Sequence, residues 1–63
     1  MDYGSIHTLL RQSGWTEIGR DDTHISYTHK DRKVTVSIKI TGDAVPAALR
    51  GIERQTGIKL PRF

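Results

Sequence analysis

The chain of 63 residues contains no cysteine, which excludes disulfide bridges and cysteine-based zinc sites together. Small secreted domains commonly depend on such bridges, so their absence points to an intracellular, cytoplasmic setting. No apolar run approaches the roughly 20 residues that cross a bilayer, so no membrane contact is expected. The opening residues, Met1-Asp2-Tyr3-Gly4-Ser5, are too polar for a secretory leader. Linkers, internal repeats and low-complexity stretches are also missing, and residues 1–63 read as one domain. A chain this short buries only about 60% of the surface its unfolded form exposes. It lacks the walls for a deep small-molecule pocket. Activity is therefore expected on an open surface, against a polymer and without a small ligand.

Charge is present and unevenly placed. The net charge is +3 and the pI about 9.7. Up to Asp22 the cations Arg11 and Arg20 face Asp2, Glu17, Asp21 and Asp22. From Thr23 onward, Lys30, Arg32, Lys33, Lys39, Arg50, Arg54, Lys59 and Arg62 are opposed by Asp31, Asp43 and Glu53. A basic second half suits a polyanion, most simply nucleic acid, and reads equally well as a solvated surface.

Periodicity supplies the elements. Ile6, Leu9 and Leu10 fall at i, i+3 and i+4, the stripe of a helix that Asp2 or Ser5 can cap and Gly14 can end. Trp15 should pack back on that stripe. "WTEIGR" alternates as an edge strand, with Ile18 on one side and Glu17 on the other. From Thr23 to His29, period two puts Ile25 and Tyr27 on one face and His24, Ser26 and Thr28 on the other. After the charged turn "HKDRK", Val34, Val36, Ile38 and Ile40 alternate with Thr35, Ser37 and Lys39. Pro46 suits the first turn of a closing helix. Leu49 and Ile52 face the core, Gly57 and Ile58 close the helix, and Pro61 stops it. The expected class is α+β in the order α-β-β-β-α: a three-stranded antiparallel sheet, two helices on its dry face, and a wet face carrying His24, Ser26, Thr28, Thr35, Ser37 and Lys39.

These landmarks carry a resemblance. "LLRQSGW", a histidine opening the strand in "THISYTH", "KVTV" and "ALRGIERQTGI" together resemble the HicA family of small mRNA interferase toxins, over about Ile6 to Ile58. The resemblance implies a fold like that of double-stranded-RNA-binding domains, ribosome-independent cleavage of mRNA, and a HicB antitoxin as protein partner. The family histidine of the Gly-Ser-His motif matches His24. Asp22-Thr23 stands where the family has Gly-Ser, Ser37 where it has the proline after Val-Thr-Val, and Ala48 where it has the threonine of the last helix motif. The threonine at 23 keeps a hydroxyl.

The chemistry fits a single imidazole. RNA is cut when a base takes the 2′-OH proton, that oxygen attacks phosphorus, and an acid protonates the departing 5′-oxygen. Histidine can take either task near neutrality, and contributes about 10² to 10⁴ in rate. Cations assist the crowded phosphate. His24 is thus the candidate catalytic residue, as acid or base, with Arg32, Lys39, Arg50 and Arg54 as candidate RNA contacts. Arg50 and Arg54 lie four apart, on one helical face. His29 reads as a structural or turn residue, His7 as a surface residue of the first helix, and Trp15 and Tyr27 as core. No pair of histidines has a metal-ligand spacing, so neither metal nor cofactor is expected. Two other readings stay open: an RNA-binding module of the same fold that does not cut, and an interaction domain whose positive face docks onto an acidic protein.

Overall fold

The structure, a computed structural model, describes residues 1–60; Pro61 and Arg62 lie outside the described residues. Helix α1 runs Tyr3–Gln12, strands β1, β2 and β3 run Thr16–Arg20, His24–His29 and Arg32–Lys39, and helix α2 runs Pro46–Thr56. The strands form one antiparallel sheet in the order β1-β2-β3, which is the expected α-β-β-β-α architecture.

Local chemistry sets the ends of α1. Of the two expected caps, Asp2 does the work: its carboxylate accepts from the Ser5 N–H and hydroxyl, each at 2.9 Å. These bonds hold the Asp2 carboxyl below its ordinary pKa. At the other end Trp15 N–H donates to the Leu10 carbonyl and Gly14 N–H to that of Arg11. This is a Schellman closure, with Gly14 at φ 91°. The turn folds Trp15 back onto Leu10, and both are buried. Pro46 opens α2, while Gly57 ends it in the left-handed conformation at φ 73°. Beyond it the chain turns back: Leu60 N–H donates to the Glu53 carboxylate at 2.7 Å, and Leu60 enters the core.

The core is one cluster: Ile6, Leu10 and Trp15 from the α1 end, Ile25, Tyr27, Val36 and Ile38 from the sheet, Leu49 and Ile52 from α2. Register explains it, because Ile25 stands opposite Ile38, and Tyr27 opposite Val36. The residues between them pair as His24 with Lys39, Ser26 with Ser37 and Thr28 with Thr35 on the polar face.

Two expectations need correction, at His7 and Val34, and the alternation read in β1 is interrupted at Ile18. His7 is not a surface residue: it is 5% exposed. It lies four residues after Tyr3 and three before Leu10, so helical phase turns it inward. Val34 is 47% exposed. Thr28 pairs with Thr35 but His29 with Arg32, so Lys33 and Val34 have no partners and leave the packed face. Ile18 is 55% exposed, because a bulge sets it between the Glu17–Tyr27 and Gly19–Ser26 pairs. The extra residue puts Glu17 and Arg20 on the same face. Arg20 there donates to both Glu17 oxygens, at 2.8 and 3.0 Å. That bond is the first cause of the lowered Glu17 pKa.

Candidate functional site

The three histidines occupy three different settings. His7 Nε2 lies 2.7 Å from the Lys39 carbonyl, and Nδ1 lies 2.7 Å from the Tyr27 hydroxyl. A carbonyl only accepts, so Nε2 carries the proton and Nδ1 accepts from Tyr27. Burial pushes the Tyr27 phenol upward in pKa, which keeps that donor protonated. His29 follows the same logic. Its Nε2 donates to the Ser13 carbonyl at 3.1 Å, and its Nδ1 accepts from Asp31 N–H at 3.1 Å. With its ring 5.3 Å from that of Trp15, His29 ties the β2–β3 turn to the end of α1. Both rings are fully used by the fold.

His24 is held differently. It opens β2 on the polar face, half-buried, directly opposite Lys39. The preceding turn is organised by one oxygen, Asp21 Oδ1. This atom accepts from His24 N–H at 2.7 Å, Thr23 N–H at 2.8 Å and the Thr23 hydroxyl at 3.1 Å. These bonds hold the Asp21 carboxyl below the usual aspartate pKa, the two backbone N–H groups first. Thr23 Oγ1 also lies 2.8 Å from His24 Nδ1. Among the described residues no hydrogen bond engages His24 Nε2.

Two open depressions meet at Lys39. One, of about 220 Å³, is lined by His24, Lys39, Ser37, Tyr3, Ala48 and Ile52. The other, of about 310 Å³, is lined by Asp22, Thr23, Lys39, Ile40 and Thr41. The surface around the imidazole is therefore a shallow trough, with one cation in its middle and apolar contacts from α1 and α2 at one side. Such a trough can take an extended polymer; it does not enclose a metabolite.

Of the expected RNA contacts, the structure brings only Lys39 to His24. Arg32 begins β3 and Lys39 ends it, which at about 3.3 Å per residue sets them roughly 20 Å apart. The Arg32 guanidinium instead lies against Gly57 at the α2 terminus. Arg50 and Arg54 each lie two residues beyond a trough residue, Ala48 or Ile52, hence about 200° round the helix. They form an exposed pair on the outer face of α2. Glu53, between them in sequence, is half-buried and committed to the Leu60 backbone. Sequence reasoning sets the carboxylates of Asp21 and Asp22 beside His24 but does not reach the Thr23 hydroxyl that links Asp21 to the imidazole. The signal was an Asp two residues before a Thr, the pattern of a side-chain-capped turn. Among the described residues, no three His, Asp or Glu side chains gather as metal ligands.

A family model, the HicA toxin of bacterial toxin–antitoxin systems, matches residues 5–58. The chain belongs to the HicA toxin family. The match begins in the first turn of α1 and takes in all three strands and α2, with His24 and Lys39 inside it. The chain is accordingly a toxin of a toxin–antitoxin system, with a cognate antitoxin as its partner. No curated protein and no solved structure matches the chain. No helix among the described residues is long and apolar enough to cross a membrane.

Proposed function

We propose that this toxin is an endoribonuclease that cuts mRNA without ribosome or metal, with His24 as its catalytic residue. The observation that carries the reading is the contrast among the imidazoles. His7 and His29 spend both ring nitrogens on the fold, whereas His24 keeps Nε2 unengaged in an open trough beside Lys39. A 2′-OH within hydrogen-bond reach of Nε2 can lose its proton to the ring. Attack of O2′ on phosphorus and departure of O5′ then yield a 2′,3′-cyclic phosphate and a 5′-hydroxyl. The Lys39 ammonium stands where it can offset the charge that builds on the phosphate oxygens.

Arg50 and Arg54 serve, in this reading, a more distant stretch of the RNA backbone, and Arg32 the far end of the sheet; neither joins the chemistry. The cognate antitoxin is a HicB-like protein that silences the toxin by covering the trough. A cytoplasmic setting fits both mRNA and antitoxin. Purified protein incubated with RNA in EDTA tests the proposal: the wild type should cleave and His24→Ala should not. Cleavage by both, or by neither, overturns it. RNA binding without cleavage in both proteins would leave the non-catalytic RNA-binding module as the reading to keep.

A further inference from the structure

The contacts around Thr23 decide which nitrogen of His24 carries its proton. Two short contacts meet at the Thr23 hydroxyl, 3.1 Å from Asp21 Oδ1 and 2.8 Å from His24 Nδ1. Each needs one proton to be a hydrogen bond. The Asp21 carboxylate supplies none, since it is ionised, exposed and already accepting two backbone N–H groups. The threonine supplies one. Were the hydroxyl to donate to Nδ1, two oxygens with no proton between them would face each other at 3.1 Å beside a negative charge. Both contacts are satisfied only when the hydroxyl donates to Asp21 and Nδ1–H donates to the hydroxyl.

We infer that Asp21 and Thr23 form a relay that locks His24 as the Nδ1–H tautomer, leaving the Nε2 lone pair directed outward as a general base. The tautomer follows from the local geometry alone; its catalytic meaning rests on the nuclease reading above. Thr23 and Asp21 are positioning residues, acting on RNA only through the ring. The proton balance is complete. The 2′-OH proton moves to Nε2, the O2′–P bond forms, the P–O5′ bond breaks, and the leaving 5′-oxygen takes a proton from water. The imidazolium, with Nδ1–H still bonded to Thr23, returns its extra proton to solvent. A carboxylate that fixes the tautomer of a catalytic histidine is a known device in hydrolases. Here a hydroxyl stands between the two, and the same carboxylate shapes the turn.

The other histidines make the assignment easy to test, because the same proton count gives His7 and His29 the opposite tautomer, Nε2–H. Nitrogen-15 NMR of imidazole-labelled protein at alkaline pH, where imidazole is neutral, reads all three rings in one spectrum. In the wild type and in Thr23→Ser, His24 should show Nδ1–H while His7 and His29 show Nε2–H. In Thr23→Val the turn keeps its two backbone bonds to Asp21, and His24 should pass to mainly Nε2–H with the other two signals unmoved. Cleavage should follow the tautomer, retained in Thr23→Ser and falling by about 10²-fold or more in Thr23→Val. Nε2–H at His24 in the wild type, or an unchanged His24 spectrum in Thr23→Val, overturns the relay whatever the activity. The expected spectra with no wild-type cleavage would support the relay and overturn the nuclease reading on which its catalytic meaning rests.

Discussion

His7 and His24 are the same side chain put to opposite ends by the place each holds, one under α1 and one at the start of β2. His7 sits where α1 presses on the sheet, and both of its nitrogens are consumed: one by the Tyr27 hydroxyl, one by the Lys39 carbonyl. His24 sits at the mouth of β2, anchored through Nδ1 alone. Lys39 joins the two. Its backbone oxygen belongs to the core histidine, while its side chain stands on the polar face opposite the other. A domain with so thin an interior cannot afford an unpaired polar group inside it. It can leave one outside, and that spare nitrogen is the one to which the proposed chemistry is given.

The comparison breaks most sharply under paired substitution. His24→Ala should lower RNA cleavage by about 10²- to 10⁴-fold, with melting shifted by no more than about 4 °C, as for an ordinary surface change. His7→Ala should do the reverse. It strands a buried phenol and a carbonyl, a loss of about 2–4 kcal/mol from a total of roughly 3–9 kcal/mol for a chain of this size. Thermal denaturation by circular dichroism should show its transition lowered by more than about 10 °C. Equal thermal losses in the two variants would erase the distinction.

Smaller effects sharpen it. Tyr27→Phe removes the donor to His7 Nδ1 and leaves the ring in place, so the expected loss is about 1 kcal/mol, read as a midpoint shift in urea with an unchanged slope. Lys39→Ala leaves the backbone carbonyl in place, so melting should be preserved. The salt dependence of RNA binding should meanwhile weaken by about one in log–log slope. The mildest test is acid. Asp2, Glu17 and Asp21 are all held below their ordinary pKa by hydrogen bonds. Their contribution is full above the usual carboxylate range and is lost only as pH falls through the lowered values. The part of the acid loss that is removed by Asp2→Asn, Glu17→Gln and Asp21→Asn together should therefore lie below about pH 4. If those substitutions changed the melting temperature only above about pH 5, they would contradict these shifts.

The strands and their polar face were legible because period two is unforgiving: with Ile25 and Tyr27 inward, His24 must point the other way. The ends of α1 and α2 were legible from Asp2, Gly14, Pro46 and Gly57. Adjacency misled at His7, which was read by its neighbour Ile6, while its phase with Tyr3 and Leu10 carried the information. Alternation misled at Ile18 and Val34, since an unpaired residue in a register shift leaves no trace in polarity. Linear clustering of charge does not tell which cations share the trough. Arg50 and Arg54 follow Ala48 and Ile52 closely in sequence, yet a two-residue step round a helix turns them away. The Asp21–Thr23 turn has a signal, an Asp two residues before a Thr, but the further contact of Thr23 with the His24 ring lies beyond pattern reading, because it depends on that turn closing to within a few tenths of an ångström.

The bond from His7 to the Lys39 carbonyl also governs how this toxin should fail when warmed. It clamps the last residue of β3 to the first helix, so the floor of the trough cannot loosen while α1 remains docked. Heat inactivation should therefore superimpose on loss of the fold, without a prior stage in which an intact scaffold carries a slack, idle catalytic surface.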